Sequence, residues 1–95
     1  MIGCYIIYSK KLGKFYIGAT QEDIIHRINK HNNSTYGKHR FTATTNDWEL
    51  YLFIPTVDYA HAIRIDRKIK SMKSSKYIRI LKENSGKIAQ LVSST

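Results

Sequence analysis

The apolar and β-branched residues of this chain fall into short runs, and the first two runs predict a β-hairpin. Residues 3–9 (GCYIIYS) and 15–19 (FYIGA) have the composition of strands, and the lysine-rich stretch between them contains the glycine of a tight turn. A loop with an even number of residues would point Tyr5 and Tyr16 to the same face of the hairpin. An odd loop or a bulge would separate them.

A helix is predicted next, because the sequence TQED at residues 20–23 resembles a capping box and precedes apolar residues at helical spacing. Arg27 and His31 are four residues apart and therefore share one face of this helix. The apolar side of the helix is formed by three isoleucines, Ile24, Ile25 and Ile28. Residues 32–46 are polar, contain glycine and asparagine, and predict a basic and aromatic loop.

The second half of the chain predicts one more strand and two helices. Residues 48–54 (WELYLFI) form the strand, which Pro55 ends. Asp58 caps a helix that has an apolar stripe at helical spacing: Ala62, Ile65, Ile69 and Met72. Ser74 or Ser75 begins the last predicted helix.

The resulting order, ββαβαα, fits one small domain with one modest core, because the chain has 95 residues. We predict that this domain spans residues 1–83 and that its third helix ends near Gly86. Residues 84–95 are predicted as a tail that is either a short helix or disordered. The single cysteine, Cys4, excludes an internal disulfide, and the paired Cys/His ligands of a structural zinc site are missing.

The chain carries 16 lysines and arginines against 7 acidic residues, a net charge of +9 for one small domain. This charge favours a polyanionic partner, although charge of this kind can also serve solubility alone. No apolar run approaches the roughly 20 residues that cross a bilayer, and the lysines follow the first apolar run, unlike in a signal peptide. We therefore expect a cytoplasmic protein with no membrane partner and no small-molecule cofactor.

The hairpin and the helices after it carry motifs in an order that is similar to that of one nuclease family. The sequences GCY at residues 3–5 and YIG at residues 16–18, separated by ten residues, resemble the signature of GIY-YIG nuclease domains. Arg27 and His31 match the R-x-x-x-H motif of the family's helix. Residues 66–70 (DRKIK) match the segment that carries the family's metal-binding glutamate.

The resemblance covers roughly residues 3–82, and Thr42 lies in a patch similar to the loop of the small URI-type members. It implies an α+β fold with a three-stranded antiparallel sheet flanked by helices. It also implies cleavage of phosphodiester bonds, mostly in DNA, with one divalent metal ion, Mg²⁺ or Mn²⁺. The catalytic face implied by the resemblance combines five residues: Tyr5, Tyr16, Arg27, His31 and Asp66.

Phosphodiester hydrolysis needs a water nucleophile, neutralisation of charge on the phosphate, and help for the leaving oxygen. Asp66 is predicted to hold the metal, although it could instead form an ion pair with Lys70, four residues on, or with Arg27 across the fold. The planar fork of Arg27 suits a phosphate oxygen, and His31 can bind the phosphate or orient a tyrosine or water. Either tyrosine of the signature can act as the general base if cationic neighbours lower its pKa from about 10. Packing in the core is the alternative role for each tyrosine.

Further residues are predicted to form a track for the nucleic-acid backbone, or else an ordinary solvated face. They are Lys38, His39, Arg40, Lys70, Lys73, Lys76 and Arg79. Gly18 is predicted to allow close approach of the backbone or the nucleic acid, or else to mark a bulge. Nothing resembles a base-reading module, so we expect weak sequence preference, with targeting by DNA structure, by a protein partner or by a homodimer. Contacts to the backbone do not distinguish RNA from DNA.

Asp66 stands where the family has glutamate, and this departure leads to an alternative prediction. The carboxylate arm is one methylene group shorter, and misplacement of a catalytic group by about 1 Å can lower a rate about 10²-fold. The alternative is therefore a catalytically weak module of the same fold that holds branched or damaged nucleic acid for a partner.

Overall fold

The computed structural model describes residues 1–33 and 45–95. In chain order the elements are β1 (Gly3–Ser9), β2 (Lys14–Thr20), α1 (Ile24–Asn32), β3 (Glu49–Pro55), α2 (Tyr59–Met72), α3 (Ser75–Glu83) and α4 (Ser85–Ser94). The predicted order ββαβαα is confirmed, and a fourth helix follows it. None of the helices in these described ranges is long and apolar enough to cross a membrane.

The three strands form one antiparallel sheet in the order β2-β1-β3, so the predicted α+β fold is confirmed. Tyr5 pairs with Gly18 across the hairpin, which leaves a loop of even length over residues 10–13. Gly13 ends this loop with a φ of +63°, a conformation that glycine adopts without strain. Because Tyr16 lies two residues before Gly18, Tyr5 and Tyr16 point to the same face of the sheet, as an even loop predicts.

The central strand β1 is buried on both faces, which explains why its sequence is an almost unbroken apolar run. Cys4 and Ile6 point to one face, where they pack against α2, α3 and α4 in the larger core. Tyr5 and Ile7 point to the opposite face, where they pack against α1 and Trp48. The sheet is therefore a middle layer, with α1 on one side and the other three helices on the other.

The last helix is docked on α2 by apolar and polar contacts. Leu91 is 3% exposed and belongs to the larger core. His61 Nε2 lies 3.1 Å from the carbonyl oxygen of Val92, and Arg64 Nε donates to the carbonyl oxygen of Thr95 at 2.9 Å. Residues 85–94 thus pack as part of the same body as the sheet, whereas the predicted boundary at residue 83 stays a prediction.

Strand β3 contains a β-bulge that the sequence analysis did not predict. Its register against β1 shifts between Ile6 and Ile7, which leaves Tyr51 as an extra residue. The Tyr51 ring turns into the larger core, with its centroid 4.9 Å from that of Phe15. Lys82 of α3 donates to the Tyr51 carbonyl oxygen at 2.7 Å, so the bulge also fixes α3 to the edge of the sheet.

The predicted cap of the first helix is wrong by three residues. Asp23 is the N-cap of α1, and its carboxylate accepts a hydrogen bond from the backbone N–H of His26 at 3.1 Å. Thr20 instead accepts from the N–H of Glu22 at 3.1 Å, a local turn that competes with a helix start. The TQED sequence therefore contains two capping-type side chains, and the second of them begins the helix.

Three further details of the helices differ from the prediction. Ile25 is 63% exposed, since Ile24 and Ile28 are the isoleucines of α1 that face the sheet. Met72 is 43% exposed, because it ends α2 beyond its last contact with the core, Ile69. The third helix, α3, ends at Glu83, and Gly86 lies inside α4 rather than at the end of α3.

Candidate active site

The centre of the site is the hydroxyl group of Tyr5 on the central strand. Tyr5 is fully buried, and its hydroxyl oxygen lies 2.8 Å from Nε2 of His31. Arg27 Nε donates to the same oxygen at 3.4 Å. Two residues of α1 therefore meet one phenol of β1, as their shared helical face predicts.

His31 is held in place by the residue that follows it in the chain. Its side chain lies in the last turn of α1 and is buried, with 3% of the residue exposed. The carboxamide of Asn32 makes two hydrogen bonds with the backbone of Trp48: Nδ2 donates to the carbonyl oxygen at 3.0 Å, and Oδ1 accepts from the N–H at 2.8 Å. This two-bond clasp joins the end of α1 to the residue before β3. It thereby helps to fix the position of the His31 side chain in the core.

Gly18 makes room for the phenol of Tyr5. A Cβ atom built on Gly18 would lie 2.6 Å from both Cζ and the hydroxyl oxygen of Tyr5, closer than real Cβ contacts come. The glycine of the YIG sequence is buried. Close packing against Tyr5 explains why this position has no side chain. The predicted contact of Gly18 with nucleic acid stays a prediction.

Tyr16 lies beside Tyr5 on the edge strand β2 and is half-buried. Its ring centroid is 6.4 Å from that of Tyr5, 5.2 Å from that of His31 and 6.5 Å from that of Trp48. Trp48, which is 2% exposed, forms a wall of the aromatic group, although the sequence suggested only a strand residue. Tyr16 is therefore the more accessible of the two tyrosines.

Arg27 has an acidic neighbour that the sequence analysis missed. Glu22 Oε1 lies 3.6 Å from a terminal nitrogen of Arg27, and Glu22 Oε2 lies 3.1 Å from Nζ of Lys30. The hydrogen bond from Lys30 holds the pKa of the Glu22 carboxyl below its ordinary value, and the charge of Arg27 adds to this effect. Glu22 precedes the helix, so the spacing rules for helical pairs gave no signal for this contact.

Asp66 approaches the site from α2, on the other side of the sheet. Its side chain is 14% exposed, and Lys70 Nζ lies 3.1 Å from Oδ1 and 3.3 Å from Oδ2. Burial raises the pKa of the Asp66 carboxyl above its ordinary value, and the hydrogen bond from Lys70 opposes the rise. Burial also raises the pKa of the Cys4 thiol to about 12, with the Asp66 charge adding to it, so the carboxylate lies near Cys4 on the central strand.

The Asp66 carboxylate fits a hard metal ion. Oδ1 is buried and accepts no hydrogen bond among the described residues, although Lys70 is near it. Residues 1–33 and 45–95 contain no group of three or more His, Cys, Asp or Glu side chains that would form a metal cage. A single carboxylate oxygen suits Mg²⁺, which usually keeps several of its waters.

The structure thus brings four of the five predicted catalytic residues together: His31 and Arg27 contact the Tyr5 hydroxyl, and the Tyr16 ring lies beside the rings of Tyr5 and His31. Asp66 is joined to them through Lys70, whose Nζ lies 5.9 Å from the ring centroid of Tyr16. The predicted ion pair of Asp66 with Lys70 is present, and the acid that faces Arg27 is Glu22.

The predicted nucleic-acid track is partly described. Lys70 and Lys73 line a crevice of about 350 Å³ between the start of β2 and the junction of α2 with α3, and Lys14 lies on its β2 side. Lys76 is exposed on α3, and Arg79 lies 5.7 Å from the ring centroid of Phe15. The predicted loop residues Lys38, His39, Arg40 and Thr42 lie outside the described residues.

Comparison with protein families decides the family of the chain. The model of the GIY-YIG catalytic domain matches residues 1–79, which include both signature tyrosines, α1 and the whole of α2. The chain belongs to the GIY-YIG family. Neither a curated protein nor a solved structure matches the chain.

Membership of the GIY-YIG family gives this fold a nuclease-type function, with nucleic acid as the class of substrate. GIY-YIG nucleases generally depend on a divalent metal ion, in agreement with the donor chemistry of Asp66. The matched region ends within α3, so the docked helix α4 lies outside the GIY-YIG match.

Proposed function

We propose that this GIY-YIG domain is an endonuclease that hydrolyses phosphodiester bonds in DNA with one Mg²⁺ or Mn²⁺ held by Asp66. The observation that supports the proposal is the Tyr5 hydroxyl, 2.8 Å from His31 Nε2 and 3.4 Å from Arg27 Nε. A tyrosine needs cationic or hydrogen-bond-donating neighbours to act as a base near neutral pH. Arg27 and the N–H form of His31 supply two such donors.

In this proposal the Tyr5 phenolate accepts the proton of the attacking water. Arg27 and His31 stabilise the phenolate by donating to its oxygen until the proton arrives. Tyr5 is fully buried, so water reaches its hydroxyl only after neighbouring side chains shift. Tyr16, half-buried on the edge strand, is the tyrosine that meets the substrate first.

The charged side chains of the site have different roles in binding the phosphate and the metal ion. The Arg27 guanidinium binds a non-bridging phosphate oxygen with its planar fork, while Glu22 restrains the orientation of that fork. When bound at Asp66, the metal supplies charge neutralisation and stabilises the leaving oxygen. The Asp66 carboxylate, on the α2 side of the sheet, would hold that ion.

The choice of DNA, the weak sequence preference and the cytoplasmic location also belong to the proposal. Support for nucleic acid comes from the net charge of +9 and from the lysines beside the site. Lys70, Lys73 and Lys76 would contact phosphates, which fixes the position of a nucleic acid without reading its bases. Targeting then depends on the structure of the DNA, or on a protein partner or second copy.

One observation favours the alternative function, a weakly catalytic module that binds nucleic acid. Lys70 lies within 3.3 Å of both Asp66 oxygens, so the carboxylate already has a positively charged partner. The aspartate arm is also shorter than the glutamate that the family resemblance implies at this position. Both features would weaken metal binding without removing the lysine surface.

Cleavage assays with matched variants separate the two functions. The substrates are supercoiled plasmid and a branched DNA, each with Mg²⁺, Mn²⁺ or EDTA. The proteins are the natural chain, Asp66→Glu and Asp66→Ala, with Lys68→Gln as a control at an exposed position of the same helix. We expect metal-dependent cleavage by the natural chain and by Lys68→Gln, and its loss in Asp66→Ala.

Three other results would change the assignment. Cleavage by Asp66→Glu with none by the natural chain would establish the binding module, in which the shorter arm has weakened catalysis. Metal-dependent cleavage that persists in Asp66→Ala would contradict the metal role of Asp66. Cleavage by none of the variants, with DNA binding retained, would contradict the nuclease proposal for these substrates.

A further inference from the structure

Lys70 lies between two of the predicted catalytic residues. Its Nζ is 3.1 Å from Oδ1 of Asp66 and 5.9 Å from the ring centroid of Tyr16. The Lys70 side chain is 50% exposed, whereas that of Asp66 is 14% exposed. The acid is therefore the fixed partner of this ion pair, and the lysine is the partner that can move.

The Lys70 ammonium group lies near both carboxylate oxygens of Asp66 instead of making one well-directed hydrogen bond to a single oxygen. Lys70 donates to Oδ2 at 3.3 Å, while Oδ1 is buried and accepts no hydrogen bond among the described residues despite the 3.1 Å approach. One ammonium group thus stands in front of both oxygens. A carboxylate buried in this way requires a cation, because an unpaired buried charge is strongly unfavourable.

We propose that Lys70 is a tethered cation that occupies the metal position at Asp66 and moves toward the substrate phosphate when a divalent ion binds. The inference rests on the proposed metal role of Asp66. A metal ion that binds either carboxylate oxygen of Asp66 is repelled at close range by the positive charge of Lys70. The metal ion and the lysine therefore compete for the carboxylate. The flexible four-carbon stem of lysine and its half exposure allow the displaced ammonium to swing toward Tyr16.

Competition of this kind makes a specific prediction for metal affinity in the absence of DNA. Lys70→Gln removes the competing charge and should tighten Mn²⁺ binding by about fivefold, the factor for one partly exposed ion pair. Lys68→Gln makes the same change in net charge two residues from Asp66, on another face of α2, and should leave the affinity within about twofold. The affinity is measured from the electron paramagnetic resonance signal of unbound Mn²⁺.

A second measurement tests the movement toward the phosphate. At saturating Mn²⁺ the Lys70→Gln variant should bind or cleave DNA less well than Lys68→Gln, although it binds the metal more tightly. A lysine that only stabilises its helix would change neither quantity, because exposed pairs of this spacing contribute little. A lysine that only contacts DNA would leave the Mn²⁺ affinity unchanged.

The variant Asp66→Asn distinguishes failure of this inference from failure of the metal assignment. If Asp66→Asn binds Mn²⁺ as tightly as the natural chain, Asp66 does not hold the metal and both proposals are overturned. If Asp66→Asn loses binding while Lys70→Gln and Lys68→Gln have equal affinity, the metal assignment stands and the competition by Lys70 is overturned. Tighter binding that is confined to Lys70→Gln supports the inference.

Discussion

Gly18 and Tyr5 pair across the hairpin so closely that a Cβ atom on Gly18 would lie 2.6 Å from the Tyr5 hydroxyl oxygen. Tyr5 is fully buried, so its ring would have to displace neighbouring atoms to make room for the added methyl group. We expect Gly18→Ala to cost about 1–3 kcal/mol of stability, as overpacking of a core does. Because the displaced atom is the proposed base, cleavage should fall about 10²-fold in the fraction that remains folded.

Gly13→Ala is the matched control for this prediction. It also adds one methyl group to the hairpin, but among the described residues nothing beyond the chain neighbours of Gly13 lies within 4 Å of the new Cβ. The cost in stability therefore comes from the φ of +63° at Gly13. A penalty of about 1 kcal/mol follows from the left-handed conformation, without any change at the site. Urea unfolding and plasmid cleavage are measured for both variants. Equal cleavage by the two would refute the link between Gly18 and the position of Tyr5.

The proposed base is tested by Tyr5→Phe. Removal of the hydroxyl leaves the ring in place but deprives the buried His31 nitrogen and Arg27 of the atom they share. We expect cleavage to fall by about 10²–10⁴-fold, the range for general-base catalysis, and stability to fall by about 1 kcal/mol. Rates at saturating metal and DNA provide the comparison.

Tyr8→Phe is the control on the opposite face of the same strand. The Tyr8 ring packs on Phe15, with a centroid separation of 4.8 Å, away from α1. Its cleavage rate should match that of the natural chain within about twofold. A loss in Tyr8→Phe as large as that in Tyr5→Phe would mean that the hairpin, rather than the hydroxyl, limits the reaction.

The parts of the site that the sequence predicted are those that depend on local periodicity. The alternation of β1 and β2 places the two tyrosines on one face, and a four-residue spacing places Arg27 beside His31. Neither step needs knowledge of distant parts of the chain. The cap of α1 shows the limit even of local reasoning, because Thr20 and Asp23 are both good capping residues and only one begins the helix.

The contacts that the sequence did not predict join residues that are far apart or lie outside regular elements. The carboxamide of Asn32 binds the backbone of Trp48, sixteen positions along the chain, and no periodic pattern in the sequence predicts this contact. Glu22 reaches Arg27 from a turn. The approach of Lys70 to Tyr16 depends on how α2 lies against the edge strand, which is a result of packing in the whole core.

Asp47 predicts how stability depends on pH. Hydrogen bonds lower the pKa of its carboxyl to about 2, the strongest from Ser9 Oγ, with further donors in the Lys11 N–H and Thr45 Oγ1. The folded-state pKa lies below the unfolded value of about 3.9, so the contribution is complete above that value and is lost as the pH falls through 2. We expect the urea midpoint of the natural chain to fall between about pH 4 and pH 2.

Two variants show whether this acid sensitivity comes from Asp47. Asp47→Asn should be less stable than the natural chain near pH 6, and the difference should shrink toward pH 2, where the natural carboxyl is protonated. Ser9→Ala removes the strongest donor and should move the acid transition of Asp47 to higher pH. A stability difference that is constant from pH 6 to pH 2 would contradict the assignment.

The clasp between Asn32 and Trp48 makes the last prediction, which concerns the position of His31. Asn32→Ala removes both hydrogen bonds that the carboxamide makes with the backbone of the buried Trp48, and should lower stability by about 1–3 kcal/mol. Since His31 is the preceding residue, its ring should lose its fixed distance to Tyr5, and cleavage should fall under conditions where the variant is folded. Unfolding is followed by urea titration with tryptophan fluorescence, and cleavage is followed below the transition.

Two matched changes distinguish the clasp from a general effect on α1. Asn29→Ala replaces an exposed asparagine of the same helix and should keep both stability and cleavage, because alanine favours helix formation. Asn32→Asp keeps an acceptor for the Trp48 N–H but places a carboxylate against the Trp48 carbonyl oxygen, and should therefore fail to restore the natural stability. Full cleavage by Asn32→Ala at its natural rate would show that His31 is positioned by the core of the site rather than by the end of its helix.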